Sequence, residues 1–452
     1  TTGFDFIENE IIEIGAVRFD KGKDQDRFSI FIKPKKKVPK FIKRLTNITD
    51  EQLASGETLT DALTSLIEYL KNDIIVCHNT SFDIGFLNTK FKEKGLPKII
   101  NQTLDTLDLS RIYLPFILNH KLGTVAEYFK IDLSNAHRAI ADAQVTGEIL
   151  LKFIDFILKN IPMRVNHRIF EVSNLKLNSI GLSRFLEKIV DHQKETALLT
   201  KQKSGIDFHN RNYIEHKPKK VEDLSIDTVF GVKGVFSKHF EKYELREGQI
   251  DMSNAVLNNF EKKEFLLVEA GTGVGKSLAY LIPSIKYTHR ENKKIIISTN
   301  TKNLQEQLFY KDLPVVKDCV NIPFKATLLK GRGNYICEKR WLETALDLDK
   351  MISSEEVSSY LNLIVWKEFT KTGDISENSS FNVNRDRRVW KKVSSDSFLC
   401  RKKRCPHFKS CFLMDIRGKA EESNLVIINH HLLLANMQSE NAVLCEFDNL
   451  II

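Results

Sequence analysis

The chain has 452 residues, 42% hydrophobic and 28% charged, with 68 Lys and Arg against 59 Asp and Glu and a net charge of +9. That length holds two or three domains, each able to bury its own core, and the composition excludes wholesale disorder. No apolar run reaches the ~20 residues of a membrane-spanning helix and no secretory signal opens the chain, so no membrane partner and a reducing, cytoplasmic setting are expected. The positive balance permits a nucleic-acid partner without requiring one. Seven scattered cysteines, an odd number, exclude a disulfide framework.

Ile11 to Phe19 alternates as a strand does, and Arg27 to Ile32 supplies a hairpin partner. Thr49 to Leu70 has helical spacing, interrupted at Gly56. Asp73 to Cys77 predicts a third strand, which runs into His78-Asn-Thr-Ser-Phe-Asp83. That places a carboxylate at a helix start beyond the carboxyl end of a strand, where open α/β sheets keep their sites. His137 falls in a loop, and Asp142 opens a helix that runs to Ile157. Taken singly, such an Asp is an N-cap and such a His is structural.

Together these segments resemble the DnaQ-like, DEDDh 3'–5' exonucleases. Thr1-Thr2-Gly3 is similar to the end of that family's first motif, and Leu45-Thr-Asn-Ile-Thr49 to its Leu-Thr-Gly-Ile segment. Asn47 stands there for Gly and tolerates a left-handed backbone. Asp105-Thr-Leu, and Lys121-Leu122 ahead of a helix, fit the middle of the domain. The resemblance implies an RNase H-like fold and hydrolysis of nucleotides from DNA 3' ends. Asp83 and Asp142 would be carboxylate ligands of Mg²⁺ or Mn²⁺, and His137 the base that takes a proton from water. Two further carboxylates of the family would precede Thr1, so this chain by itself is expected not to degrade DNA.

From 158 to 224 the pattern weakens and reads as a linker. Leu175 to Val190 has room for one or two short helices. Thr200 to Glu222 is polar and basic, with Lys201, Lys203, Arg211, Lys217, Lys219 and Lys220.

The strongest local signal is Phe265 to Pro283. Four apolar residues, Phe265 to Val268, predict a buried strand; Ala270 to Gly275 form a small-residue turn; Lys276 to Ile282 open an apolar helix. In Gly271-Thr272-Gly273-Val274-Gly275-Lys276-Ser277 the glycines let backbone N–H groups curl around phosphate, Lys276 reaches the outer phosphates, and Ser277 is placed for Mg²⁺. A Gly-rich turn without a ligand is the bland alternative. Farther on, Lys294 to Ser298 predicts a core strand leading to Thr299 and Thr301, placed for sugar–phosphate contacts, with capping by Thr301 as a compatible reading.

Cys337, then Cys400, Cys405 and Cys411, follow one another with gaps of 62, four and five residues. The clustered thiols read as a metal site, with iron–sulfur, zinc and plain buried cysteines all open. Cys77, Cys319 and Cys445 sit in apolar strand-like contexts and read as core. Arg401, Lys402, Lys403 and Arg404 form a basic run, either a solvated face or a grip on a single-stranded backbone.

From about residue 225 onward the order of segments resembles the DinG and XPD-like superfamily 2 DNA helicases: Arg246 and Gln249, the phosphate loop, Thr299-x-Thr301, a four-cysteine insertion, then Leu425-Val-Ile-Ile-Asn429. That resemblance implies ATP as the nucleotide, with Arg246 and Gln249 reading its base, and a [4Fe–4S] cluster on Cys337, Cys400, Cys405 and Cys411. It also implies 5' to 3' movement on single-stranded DNA, and a DEAH motif following the run that reaches Ile452. The expected architecture is α/β: an RNase H-like exonuclease domain over 1–157, a linker over 158–224, and a RecA-like P-loop motor domain over 225–452. The motor carries its cysteine insertion at about 331–412. The expected function is a bifunctional DNA-processing enzyme, exonuclease and ATP-dependent helicase. Its rivals are an exonuclease regulated by a non-translocating, ATP-responsive DNA-binding module, and a polymerase-associated proofreading subunit.

Overall fold

The structure is a computed structural model that describes residues 1–133, 137–176, 180–197, 212–262, 264–271, 273–438 and 444–452. Two compact units divide it. The first comprises Thr1–Phe208, Asp347–Thr370 and Ser376–Lys391; the second comprises His209–Leu346, Lys371–Ile375 and Lys392–Ile452.

In the first unit the expected hairpin forms from β1 (Glu13–Asp20) and β2 (Lys23–Phe31), antiparallel with Glu13 opposite Phe31. The helix Ala139–Asn160 lies directly on β1. Gly15 permits it, because a Cβ there would stand 2.3 Å from the Ile140 nitrogen. Two short parallel strands, β3 (Ile75–Cys77) and β4 (Thr103–Asp105), pair with Cys77 opposite Asp105. Their carboxyl ends therefore release two helices side by side, Thr80–Glu93 and Thr106–Tyr113. Asn47 closes the Lys40–Thr46 helix at φ 54°, the left-handed conformation its residue type tolerates.

Two boundaries depart from the sequence reading. Where a linker is expected from 158, the helices Met163–Lys176 and Ile180–Ala197 pack into the first unit. Each carries an apolar stripe at helical spacing (Val165, Ile169 and Val172; Leu182, Leu186 and Ile189) that its many charges dilute in any local average. Buried amides lock them together: Asn166 Nδ2 donates to Gln193 Oε1 at 3.0 Å, and Tyr113 Oη donates to Asn166 Oδ1 at 3.0 Å. Lys201, Lys203 and Arg211 lie outside the described residues.

The second departure is in the insertion. Much of the span between Cys337 and Cys400 belongs to the first unit. Its helix Val357–Phe369 buries Tyr360, Leu361, Leu363, Val365 and Trp366 against the Met163–Lys176 and Thr106–Tyr113 helices. A helix apolar on nearly every side needs cover all round, and these neighbours supply it.

The second unit is built on a five-stranded sheet of order β5-β7-β8-β6-β9: β5 (Tyr213–His216), β6 (Ile295–Thr299), β7 (Phe324–Leu328), β8 (Leu425–Asn429) and β9 (Asn449–Ile451). Among these strands only β5 runs antiparallel to its neighbour. The expected strand near 295 is present, and the apolar β6 and β8 are buried on both faces, as central parallel strands are. The buried strand expected at Phe265 to Val268 is not there. None of the five strands pairs with it, and Phe265 and Leu267 are fully exposed.

Candidate functional site

In the first unit, Asp83 and Asp142 each occupy the first turn of a helix, Thr80–Glu93 and Ala139–Asn160. The two carboxylates feel one another's charge, and burial pushes Asp83 up to about 6, with Asp105 and Asp142 adding to the shift. Burial likewise raises Asp142, against the opposing hydrogen bond from the His137 amide. That amide donates to Asp142 Oδ1 at 3.2 Å, and His137 itself is held at φ 72°. Of the three residues singled out from the sequence, His137 is tied to Asp142 through its backbone amide, and the charge of Asp142 acts on Asp83. Two acids clustered in partial burial, both resisting ionisation, suit a site that takes a cation.

Sequence reasoning passed over the acids behind them. Asp105, at the end of β4, accepts the Asn79 N–H at 2.9 Å, the Thr80 N–H at 2.8 Å and the Leu107 N–H at 2.8 Å. Glu13, at the start of β1, accepts Arg138 Nη2 at 3.0 Å and the Ala139 N–H at 3.1 Å. The signal was present: a lone carboxylate inside Ile11-Ile12-Glu13-Ile14, and an Asp closing a strand beside the one that leads to Asp83. Asp108, also pushed up to about 6 by burial with Asp105 next, faces Arg111 at 3.6 Å.

In the second unit, Lys276 and Ser277 open the helix Lys276–Glu291, and Gly273 and Gly275 adopt φ 85° and 84°, which favour glycine. Thr272 lies outside the described residues, and Gly271 is exposed. Lys276 Nζ donates to the Ala270 carbonyl at 2.9 Å. Val274 lies across from Gly248, and the Ser277 hydroxyl stands beside Asp312 and Tyr280. Arg246 and Gln249 both bond the loop. Gln249 Nε2 donates to the Gly275 carbonyl at 2.9 Å, and Arg246 donates to the Gly273 carbonyl. Their chemistry explains it: a guanidinium and an amide facing a bend of exposed carbonyls satisfy them.

Thr301 caps the Lys302–Gln307 helix through the Leu304 N–H, and Thr299 is buried with its hydroxyl donating to the Thr301 carbonyl at 3.1 Å. The cap expected at Thr301 is present. Arg401, Lys402, Lys403 and Arg404 are all exposed.

Cys411 precedes the Phe412–Glu422 helix, close enough to Cys337 and Cys400 that each raises its thiol, after burial, against the N–H groups of Met414 and Leu413. Cys405 joins the same stretch: its carbonyl accepts the Phe408 N–H at 3.0 Å, and the Phe408 carbonyl accepts the Cys411 N–H at 3.3 Å. Among the described residues, no three His, Cys, Asp or Glu side chains are close enough together to hold a metal ion. Cys319, pushed up to about 11 by burial, and Cys445 are buried as core residues; Cys77 is half-buried, its thiol also raised by burial. No helix among the described residues is long and apolar enough to cross a membrane.

Residues 1–150 match the exonuclease family RNase_T, and residues 246–334 match the DEAD/DEAH box helicase family. The chain is 30% identical over 452 residues to the 3'-5' exonuclease DinG of Bacillus subtilis (strain 168), an alignment covering 98% of this chain and 47% of that protein. It is 26% identical over 462 residues to the protein of the same name from Staphylococcus aureus (strain NCTC 8325 / PS 47), covering 100% of this chain and 48% of that one. The chain thus spans about half the length of the curated relatives it matches. Among solved structures, exonuclease X in complex with 5' overhanging duplex DNA is 21% identical, covering 34% of this chain and 87% of that chain at a TM-score of 0.28.

Proposed function

We propose that this chain, an exonuclease domain followed by a DEAD/DEAH-box helicase domain and similar along its length to the DinG proteins, serves a DNA-processing enzyme. That enzyme removes nucleotides from 3' ends and couples ATP to movement along single-stranded DNA. The observation that carries the reading is the presence of both family matches, in that order, in one polypeptide of which 98% aligns with the 3'-5' exonuclease DinG of Bacillus subtilis.

At the nuclease site Asp83 and Asp142 are the ligands for Mg²⁺ or Mn²⁺. They fit: both are oxygen donors in partial burial whose ionisation is resisted until a dication compensates it. When bound, such cations supply charge for the transferring phosphoryl group and a more acidic water. His137 takes the proton from that water, and its amide bond to Asp142 keeps base and ligand in register. At the motor site Gly271, Thr272, Gly273, Val274 and Gly275 wrap the phosphates of ATP. Lys276 exchanges the Ala270 carbonyl for a phosphate, and Ser277 meets the nucleotide's Mg²⁺. Arg246 and Gln249 brace the loop and leave base reading as a secondary role.

Cys337, Cys400, Cys405 and Cys411 are offered as the ligands of a [4Fe–4S] cluster. The donor set fits in its chemistry: four thiols, with Cys337 and Cys400 both near enough to raise the Cys411 thiol. Thr301 and the basic run Arg401 to Arg404 line the path of single-stranded DNA, from which burial withdraws Thr299. Neutralising those four charges should flatten the dependence of log affinity on log salt by about 0.7 for each phosphate the run no longer neutralises. An unchanged slope removes the run from the path.

The deciding experiment is binding to the chain itself. Lys276→Ala should weaken ATP binding by at least ~100-fold in calorimetry, and Asp83→Asn should abolish Mn²⁺ binding, each leaving the other ligand untouched. Visible absorption and iron content after anaerobic purification decide the cluster. Colourless, iron-free protein sinks it.

A further inference from the structure

The two helices that bear Asp83 and Asp142 have a common peculiarity. Neither start is capped by its own N-cap side chain: Asn79 precedes one helix and Arg138 the other, and neither side chain accepts an N–H of the helix it opens. The first N–H groups of a helix have no partner within it, so uncapped starts fray and their first-turn side chains wander. Here the acceptor arrives from elsewhere in the chain. Asp105, from the end of β4, takes the Asn79 N–H on Oδ1 and the Thr80 N–H on Oδ2. Glu13, from the start of β1, takes the Ala139 N–H on Oε2, while its Oε1 accepts Arg138 Nε at 3.2 Å and Nη2 at 3.0 Å. The Arg138 guanidinium also lies 5.2 Å from the centre of the Phe31 ring, which holds the residue directly after His137. The Glu13 side chain is only 4% exposed.

We propose that Glu13 and Asp105 are positioning residues for the nuclease site, each capping from a distant strand the helix start that carries a metal-binding carboxylate. The inference rests on the metal reading of Asp83 and Asp142. Their own lone pairs argue against Glu13 and Asp105 being ligands themselves. Asp105 already accepts three backbone N–H groups, counting Leu107, and both Glu13 oxygens are engaged by Arg138 or Ala139. A carboxylate so occupied serves as an anchor, and its negative charge suits the positive end of a helix dipole. Groups that orient metal ligands in this way typically shift metal affinity by 10–100-fold.

The test uses the full chain with Glu13→Gln and Asp105→Asn, near-isosteric changes that remove a charge and an acceptor. Two readouts are taken: Mn²⁺ affinity and stoichiometry by calorimetry, and amide hydrogen exchange without metal. Asp105→Asn should speed exchange at Asn79 and Thr80, Glu13→Gln at Ala139, and each should weaken Mn²⁺ at least ~10-fold with unchanged stoichiometry. Asp108→Asn, a neighbouring acid that caps neither helix start, should do neither. Unchanged affinity in both variants overturns the proposal, because the caps would then be structural only. A lost equivalent of Mn²⁺ also overturns it, because the residues would be ligands. If the unsubstituted chain binds no Mn²⁺, the metal reading of Asp83 and Asp142 fails instead. Amide exchange then still decides whether the two carboxylates hold the helix starts.

Discussion

The two candidate sites of this chain lie at helix starts in two regions, and the two are built in different ways. In the first unit β3 leads into the Asp83 helix from within a paired strand, and the helix start is pinned by a carboxylate of the adjacent strand. In the second unit the Lys276 helix follows a segment, Phe265–Val268, that joins no sheet, and its loop is braced by Gln249, Arg246 and Lys276. The sequence signals run the other way. The glycine-rich loop is unmistakable in the sequence, whereas Asp83 and Asp142 are ordinary acids at helix starts. A short motif dictates a turn through the backbone preferences of its own residues. A strand requires a second strand, and no residue type supplies one.

That difference also explains what was legible. The hairpin, the helix that opens at Asp142 and the apolar strand β6 each announce themselves within about ten residues, whereas β5, inside the expected linker, and β7 do not. The allegiance of Val357–Phe369 to the first unit does not, because its partners lie some two hundred residues away, in Met163–Lys176 and Thr106–Tyr113. Nor do the caps on the two acidic helices, since Glu13 and Asp105 act across the fold.

The largest expected effect breaks the comparison at its boundary. Trp366 is fully buried in the first unit, edge-on to Trp390 at 6.2 Å, although the chain around it lies between the cysteines of the second half. Trp366→Ala should cost about 3–5 kcal/mol. The loss should appear as faster amide exchange in the Met163–Lys176 and Thr106–Tyr113 helices, while β6 and β8 keep their protection. Loss of protection in β6 and β8 alone would return the insertion to the second unit.

A smaller effect sharpens the contrast at the acidic site. Burial, then Asp105, lifts Asp83 to about 6 from an ordinary value near 3.8. The folded chain therefore holds that proton more tightly than the unfolded one. The stability this contributes is complete below about pH 4 and is lost as pH rises through about 6. Without metal, Asp83→Asn should raise the melting temperature at pH 7.5 by on the order of a few degrees, and the gain should vanish below about pH 4. Saturating Mn²⁺ should reverse the order of the two proteins. A gain that persists unchanged at pH 3.5 would mean that ionisation of Asp83 is not its source.

The smallest effect isolates the backbone preference of a single residue, with no partner involved. Asn47 ends the Lys40–Thr46 helix at φ 54° and ψ 25°, with its side chain exposed. A residue with a Cβ pays about 1–2 kcal/mol in that region, Asn somewhat less because its amide bonds locally, and Gly nothing. Urea unfolding should therefore place Asn47→Gly within a few tenths of a kcal/mol of the parent and Asn47→Ala about 1 kcal/mol below it. If Ala and Gly behaved alike, the left-handed turn would be imposed by the packing on either side of it. The turn would then join the features that only the assembled fold decides.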